Sequence, residues 1–166
     1  MADLRVKVLV LSDRCSRGER EDASGPALVA WLSERGVDAG DVAILPDDRA
    51  AIAGFLADAC DGDAWNLVIT CGGTGVTPRD VTPDATREIL EYELPGFGEA
   101  MRRASMEKSP HAIISRALAG VRHSTLVINL PGSPRAAVEN LEAVWAAVPH
   151  AVAKVEGDPA DCGSPD

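Results

Sequence analysis

Thr70-Cys71-Gly72-Gly73-Thr74-Gly75-Val76-Thr77-Pro78-Arg79-Asp80-Val81-Thr82-Pro83-Asp84-Ala85-Thr86 is the stretch whose reading decides the fold. The apolar run Asn66 to Thr70 that leads into it is long enough for a buried strand, and Thr82-Pro83 reads as a cap residue followed by proline in a first helical turn. Strand, loop, helix is the expected order. Gly72, Gly73 and Gly75 let the backbone approach a ligand with no Cβ in the way, and Thr70, Thr74 and Thr77 add hydroxyls beside exposed amides. Such a loop suits an anion, most naturally phosphate. It is not a Walker A loop, because Gly75-Val76-Thr77 carries no lysine, and not a dinucleotide fingerprint, because Pro78 stands where the last glycine is required. The alternative is a plain glycine-rich turn closing a βα unit. Length and polarity speak against that, since Cys71 to Val81 is longer than a connection needs and carries Arg79 and Asp80.

Upstream, Val6 to Leu11 is a continuous apolar run of the kind found in a central strand covered on both faces. The charged loop Ser12 to Gly25 follows, then a helix opened by Pro26, with Leu28, Trp31 and Leu32 on one face and Gly36 at its end. Val42 to Leu45 is a second strand. Pro46-Asp47-Asp48 leads from it into a helix from Arg49 to Cys60, and one of the two aspartates is expected to cap that helix and leave the other free. Downstream, helices are expected over Pro83 to Glu91 and Phe97 to Glu107, then a short helical segment within His111 to Arg116. Leu118 to Arg122 and Thr125 to Leu130, joined through His123-Ser124, form an antiparallel hairpin. Pro131-Gly132-Ser133-Pro134 turns the chain into a helix from Arg135 to Val148, whose pattern Val152 and Val155 extend. Residues 1–156 are expected to form one domain and 157–166 a flexible tail.

Strands alternating with helices give an α/β fold: three layers, α/β/α, around a mostly parallel five-stranded sheet with one short antiparallel strand. Ligands in such sheets bind beyond the carboxyl ends of the strands. Parallel packing therefore brings Ser12, Asp13 and Arg14, then Asp47, the Gly72 to Asp80 loop, and Pro131-Gly132-Ser133-Pro134 to one rim. Two aspartates facing a phosphate-cradling backbone suit Mg²⁺-dependent nucleotide chemistry, with substrate phosphates and waters completing the octahedron.

The formal net charge of −10 and a pI near 4.7 exclude a general nucleic-acid surface. Cysteines 15, 60, 71 and 162 form no C-x-x-C pair and the histidines no zinc spacing, so a structural zinc site is not expected. With no basic leader ahead of an apolar segment and no apolar run of membrane length, a cytoplasmic protein with no membrane partner is expected.

Ser12-Asp13-Arg14, Leu45-Pro46-Asp47, Thr70-x-Gly72-Gly73-Thr74-Gly75 with Arg79-Asp80-Val81-Thr82-Pro83-Asp84-Ala85-Thr86, Pro95-Gly96-Phe97-Gly98-Glu99-x-Met101-Arg102 and Asn129-Leu130-Pro131-Gly132-x-Pro134 together resemble the MogA/MoaB molybdopterin-binding family, to which the gephyrin domain also belongs. The resemblance covers about Val6 to Val155. It implies a MogA/MoaB-like fold and a molybdopterin adenylyltransferase of molybdenum cofactor biosynthesis, in which ATP and molybdopterin give adenylyl-molybdopterin and pyrophosphate with Mg²⁺. It also implies a homotrimer, or a hexamer built from two trimers, working beside other enzymes of that pathway. By motif position the family's two essential carboxylates fall on Asp47 and Asp80, as catalytic groups and metal ligands. Ser12, Asp13, Arg14, Thr70, Gly72, Gly73, Thr74, Gly75, Pro131, Gly132 and Ser133 would bind molybdopterin and ATP. The chain lacks the insertion before the last helix seen in longer MogA-type members and is closer in size to the MoaB type, some of which do not adenylylate. The alternative is therefore a non-catalytic molybdopterin-binding or scaffold protein.

Overall fold

The computed structural model describes residues 3–159. Its strands are β1 (Val6–Leu11), β2 (Ala43–Leu45), β3 (Leu67–Cys71), β4 (Tyr92–Glu93), β5 (Ala119–Arg122) and β6 (Thr125–Leu130), and its helices are α1 (Asp13–Ser16), α2 (Ser24–Ser33), α3 (Arg49–Asp61), α4 (Thr82–Ile89), α5 (Pro95–Met106), α6 (Pro134–Trp145) and α7 (Val148–Val155), with a 3-10 turn over Pro110–Ile114. The strands form one sheet in the order β2-β1-β3-β6-β5-β4. β2, β1, β3 and β6 are parallel; at the far side β5 runs antiparallel to β6, and β4 antiparallel to β5.

The sheet therefore has six strands, not the five expected. The missing one, β4, is two residues long and leaves no alternating pattern to read. It exists because its neighbour offers open backbone: Glu91 N donates to Val121 O and Leu94 N to Ala119 O, while Gly120 carries no side chain where the Tyr92 carbonyl oxygen and Glu93 Cα approach.

β1, β3 and β6 are buried along nearly their whole length because helices cover both faces. Val6, Val8 and Val10 of β1 point, with Leu67 and Ile69 and with Leu126, Ile128 and Leu130, into a core shared with Leu28 and Leu32 of α2, Met101 of α5, Leu141 and Val144 of α6 and Val152 of α7. Leu9, Leu11, Val68 and Val127 point the other way, onto Ile52 and Leu56 of α3 and Ala85 and Ile89 of α4. This period-two split of unbroken apolar runs makes the three layers. Polar residues also sit in these strands: Asn129 of β6, fully buried, donates Nδ2 to Thr70 Oγ1 of β3 and to Thr86 Oγ1 of α4, each at 3.0 Å, fixing the helix that follows the glycine loop.

Several boundaries differ from expectation for local reasons. α2 starts at Ser24 rather than Pro26, because Asp22 accepts from the amides of Ser24 and Gly25. α4 opens at Thr82, whose hydroxyl donates to Gly72 O instead of capping the helix. The last expected helix is two, α6 and α7, parted where Pro149 enters the first turn of α7. Of the expected tail, Gly157 and Asp158 close α7 by donating to Lys154 O and Ala153 O, with Gly157 at φ 94°. Residues 160–166 of it, with Cys162, lie outside the described residues. Among the described residues no helix is long and apolar enough to cross a membrane.

Candidate active site

The carboxyl ends of the four parallel strands meet in one crevice of about 500 Å³, lined by Ser12, Arg20, Ser24, Asp47, Cys71, Gly72, Gly73, Arg79, Asp80, Gly132, Ser133 and Pro134 among others. It lies where the chain, having placed β2 on one side of β1, crosses to place β3 on the other, which is where such sheets open for ligands.

The backbone there is tightly drawn. Gly72 sits at φ 116° with its amide donating to Leu130 O at 3.0 Å, and a Cβ on it would overlap the Leu11 carbonyl oxygen. The turn binds the ends of β1, β3 and β6 together. Beyond it the glycines make room for the two carboxylates. A Cβ on Gly73 would stand 3.0 Å from Asp47 Oδ1, and one on Gly75 would stand 2.8 Å from Asp80 Oδ2. The amides of Gly73, Thr74 and Gly75 donate to no acceptor among the described residues, leaving them for a ligand.

Asp48, not Asp47, caps α3, accepting from Ala51 N at 2.8 Å. Asp47 is thereby released to pair with Asp13 across the strand ends: Asp13 N donates to Asp47 Oδ2 at 3.0 Å and Asp47 N to Asp13 Oδ1 at 3.1 Å. Arg79 reaches back from the glycine loop and donates two of its nitrogens to the Asp13 carboxylate. Asp80, next in sequence, accepts at Oδ2 from Thr77 N at 2.8 Å and Thr77 Oγ1 at 2.7 Å.

Burial raises the Asp47 carboxyl above the ordinary aspartate value. The Asp13 amide and the Arg79 guanidinium oppose this, and the neighbouring charges of Asp13 and Asp80 reinforce it. The Arg79 hydrogen bonds hold Asp13 below the usual range. Burial pushes the Cys71 thiol up to about 12, so it stays protonated and is no nucleophile.

A raised carboxyl has a signed consequence. Its favourable contribution is complete below the unfolded aspartate value and is lost as pH climbs through the folded value, so ionised Asp47 opposes folding at neutral pH. Asp47→Asn should therefore melt at or above the wild-type midpoint at pH 7, with the difference vanishing in acid. Scanning calorimetry across pH checks this, and an asparagine variant less stable than wild type at pH 7 would contradict it.

Of the residues anticipated from sequence, Ser12, Asp47, Gly72, Gly73, Asp80, Gly132 and Ser133 line the crevice, and Asp13 is tied to it through Asp47 and Arg79. Thr74, Gly75 and Pro131 line a smaller adjoining pocket of about 290 Å³, with Ser105, Ala112, Ile114, Ala136 and Asn140. Two residues lie elsewhere. Thr70 is fully buried beneath the sheet and spends its hydroxyl on Asn129, so it reaches neither pocket. Arg14 is exposed and lines neither pocket, although its carbonyl closes the following loop by accepting from the amides of Glu19 and Arg20. Arg20 and Ser24 join the site unanticipated. Ser24 donates to Gly132 O across the crevice, and in the sequence both look like residues of a solvated loop.

The donor set suits Mg²⁺. In Asp47 and in Asp80 one oxygen is anchored by the backbone, while Oδ1 accepts no hydrogen bond among the described residues. The described residues contain no group of three or more ligating side chains able to form a self-sufficient cage. One or two carboxylates beside substrate phosphates is the usual protein contribution for this ion.

Residues 7–150 match a family model described as a probable molybdopterin binding domain. A protein named molybdopterin adenylyltransferase from Helicobacter pylori is 43% identical over 95% of this chain and 91% of its own length. Its namesake from Escherichia coli K12 is 38% identical over 95% of this chain and 88% of its own length. The crystal structure of the molybdopterin biosynthesis enzyme MoaB from Thermus thermophilus superposes with a TM-score of 0.87 at 44% identity, covering 94% of this chain and 98% of that one. The tight Gly72 turn, the freed Asp47 and the carboxylate-seating glycines thus belong to a chain that matches this model over most of its length, and the protein is a member of the molybdopterin-binding domain family.

Proposed function

We propose that this chain is a molybdopterin adenylyltransferase of molybdenum cofactor biosynthesis, transferring AMP from ATP to the molybdopterin phosphate with release of pyrophosphate. The observation that carries the reading is the seating of Asp47 and Asp80 over Gly73 and Gly75 in one crevice, each with an uncommitted oxygen. A pure binder of an anionic pterin has no use for two carboxylates there. The names of the relatives support the same activity.

In this reading the ATP phosphates occupy the larger crevice, against the free amides of the glycine loop. The pterin lies in the adjoining pocket beside Thr74, Gly75, Ser105 and Asn140. Asp47 and Asp80 would hold Mg²⁺, which when bound neutralises charge developing on the transferred phosphoryl and departing pyrophosphate oxygens. The chain's own residues supply position: the loop amides orient the α-phosphorus for in-line attack by the pterin phosphate, and Arg79 sits where it can trade Asp13 for a phosphate oxygen. The attacking phosphate is already an anion, so no general base is needed.

Incubating purified protein with ATP, Mg²⁺ and molybdopterin and following adenylylated pterin and pyrophosphate tests the reading. Pterin binding without either product would make the protein a scaffold instead.

We further propose a cytoplasmic homotrimer. The exposed Tyr92 beside Leu94, Phe97, Ala151 and Val155 forms an apolar groove at the sheet edge that supports self-association. Sedimentation equilibrium at micromolar concentration should report three chains; a monomer would overturn it.

A further inference from the structure

Arg116 lies between the 3-10 turn and β5, and it lines neither the crevice nor the adjoining pocket. Yet most of its donors serve the loop between them. Its backbone amide donates to Thr74 O at 2.8 Å, Nε to Gly75 O at 2.8 Å, and Nη2 to Asp80 O. Nη1 spans both oxygens of Asp84 in the first turn of α4, at 3.1 and 3.0 Å. One planar fork thus ties the start of the loop, its end and the helix behind it, with its charge matched by Asp84.

The peptide plane gives this a consequence at the site. The carbonyl of one residue and the N–H of the next point in opposite directions. With the Thr74 and Gly75 carbonyls drawn to Arg116, the amides of Gly75 and Val76 are turned to the other side of the loop, and neither donates to any acceptor among the described residues. The same grip on Asp80 O sets the backbone from which the Asp80 carboxylate reaches Thr77 and lies against Gly75.

We propose that Arg116 is a positioning residue for adenylyl transfer: it fixes which side of the glycine loop shows N–H groups to the ligand phosphates and where the Asp80 carboxylate stands, without touching substrate. This rests on the transferase reading given above.

The test compares Arg116→Lys and Arg116→Met with Arg122→Lys. Arg122 is a similar staple at the opposite end of the sheet, where it holds Asp61 and Ile89 O. Two quantities are read below each variant's melting transition: Mn²⁺ affinity in the presence of ATP, by electron paramagnetic resonance, and kcat for transfer. Lysine keeps the charge opposite Asp84 but carries its donors on one nitrogen, so it cannot reach Gly75 O, Asp80 O and Asp84 as the three nitrogens of the planar fork do. Arg116→Lys should weaken Mn²⁺ about fivefold and lower kcat about tenfold, and Arg116→Met should lower both further. Arg122→Lys should leave both near wild type even if it melts earlier. The proposal is overturned if the Arg116 variants keep wild-type Mn²⁺ affinity and kcat, or if their losses match those of Arg122→Lys and follow stability alone. Wild-type protein that binds Mn²⁺ and ATP but transfers nothing would defeat the transferase reading and leave the Mn²⁺ comparison to decide on Arg116; wild-type protein that binds neither defeats both.

Discussion

Asp80→Asn should lower adenylyl transfer about a hundredfold or more, equivalent to about 2.7 kcal/mol of transition-state stabilisation. The substitution is informative because it leaves the loop intact. A carboxamide oxygen can still accept from Thr77 N and Oγ1, and the side chain occupies the same space against Gly75. What changes is the other oxygen: an uncommitted anionic ligand becomes a neutral donor aimed where a cation or its phosphates must sit. The loss should appear in kcat, with pterin affinity nearly unchanged, because the charge matters most as negative charge builds on the departing pyrophosphate. Asp47→Asn should act alike, through its own free oxygen, and the double variant should lose less than the two single losses combined if both serve one metal. Single-turnover transfer from ATP labelled at the α-phosphate measures all three. Full activity in both single variants would remove the metal role from this pair.

The second large effect separates two glycines three residues apart. Gly72→Ala should destabilise the fold by roughly 2–5 kcal/mol. Its φ of 116° is hostile to any side chain, and the new Cβ would meet the Leu11 carbonyl, a backbone group held in place between paired strands, with nothing flexible to yield. Gly75→Val meets a different neighbour, the end of the Asp80 side chain at 2.8 Å, and Gly75 is not at positive φ. The carboxylate can swing away, so the urea midpoint should stay close to wild type while phosphate-ligand binding and transfer fall. A Gly72→Ala protein as stable as wild type would show that the strand ends are not closely drawn there. A Gly75→Val protein with normal binding and transfer would reduce the loop to a connection.

How much of this was legible beforehand follows from what a sequence records. Apolar runs record burial, and three of them, at Val6 to Leu11, Asn66 to Thr70 and Thr125 to Leu130, sufficed to place the central strands. Once those strands are parallel, the loops that leave them must converge, so the crevice was readable without any contact being known, and the family resemblance pointed to Asp47 and Asp80 within it. The two-residue β4 was not readable, because it is held by the open backbone beside Gly120 and not by any pattern of its own. Nor could Thr70 be separated from Thr74. Both are hydroxyls near the same loop, and only the pleat, which turns Thr70 toward Asn129 beneath the sheet, takes one of them out of the site.

The sequence by itself determined the three-layer fold and the glycine loop, because continuous apolar runs and local composition suffice for these. Only the tertiary structure decided which aspartate is free, that Arg79 closes on Asp13 from 66 residues away, and that Arg116 holds Asp80 from 36 residues away. Those are pairings of side chains across strand ends, and no periodicity along a chain encodes which distant donor will meet which acceptor once the sheet has closed.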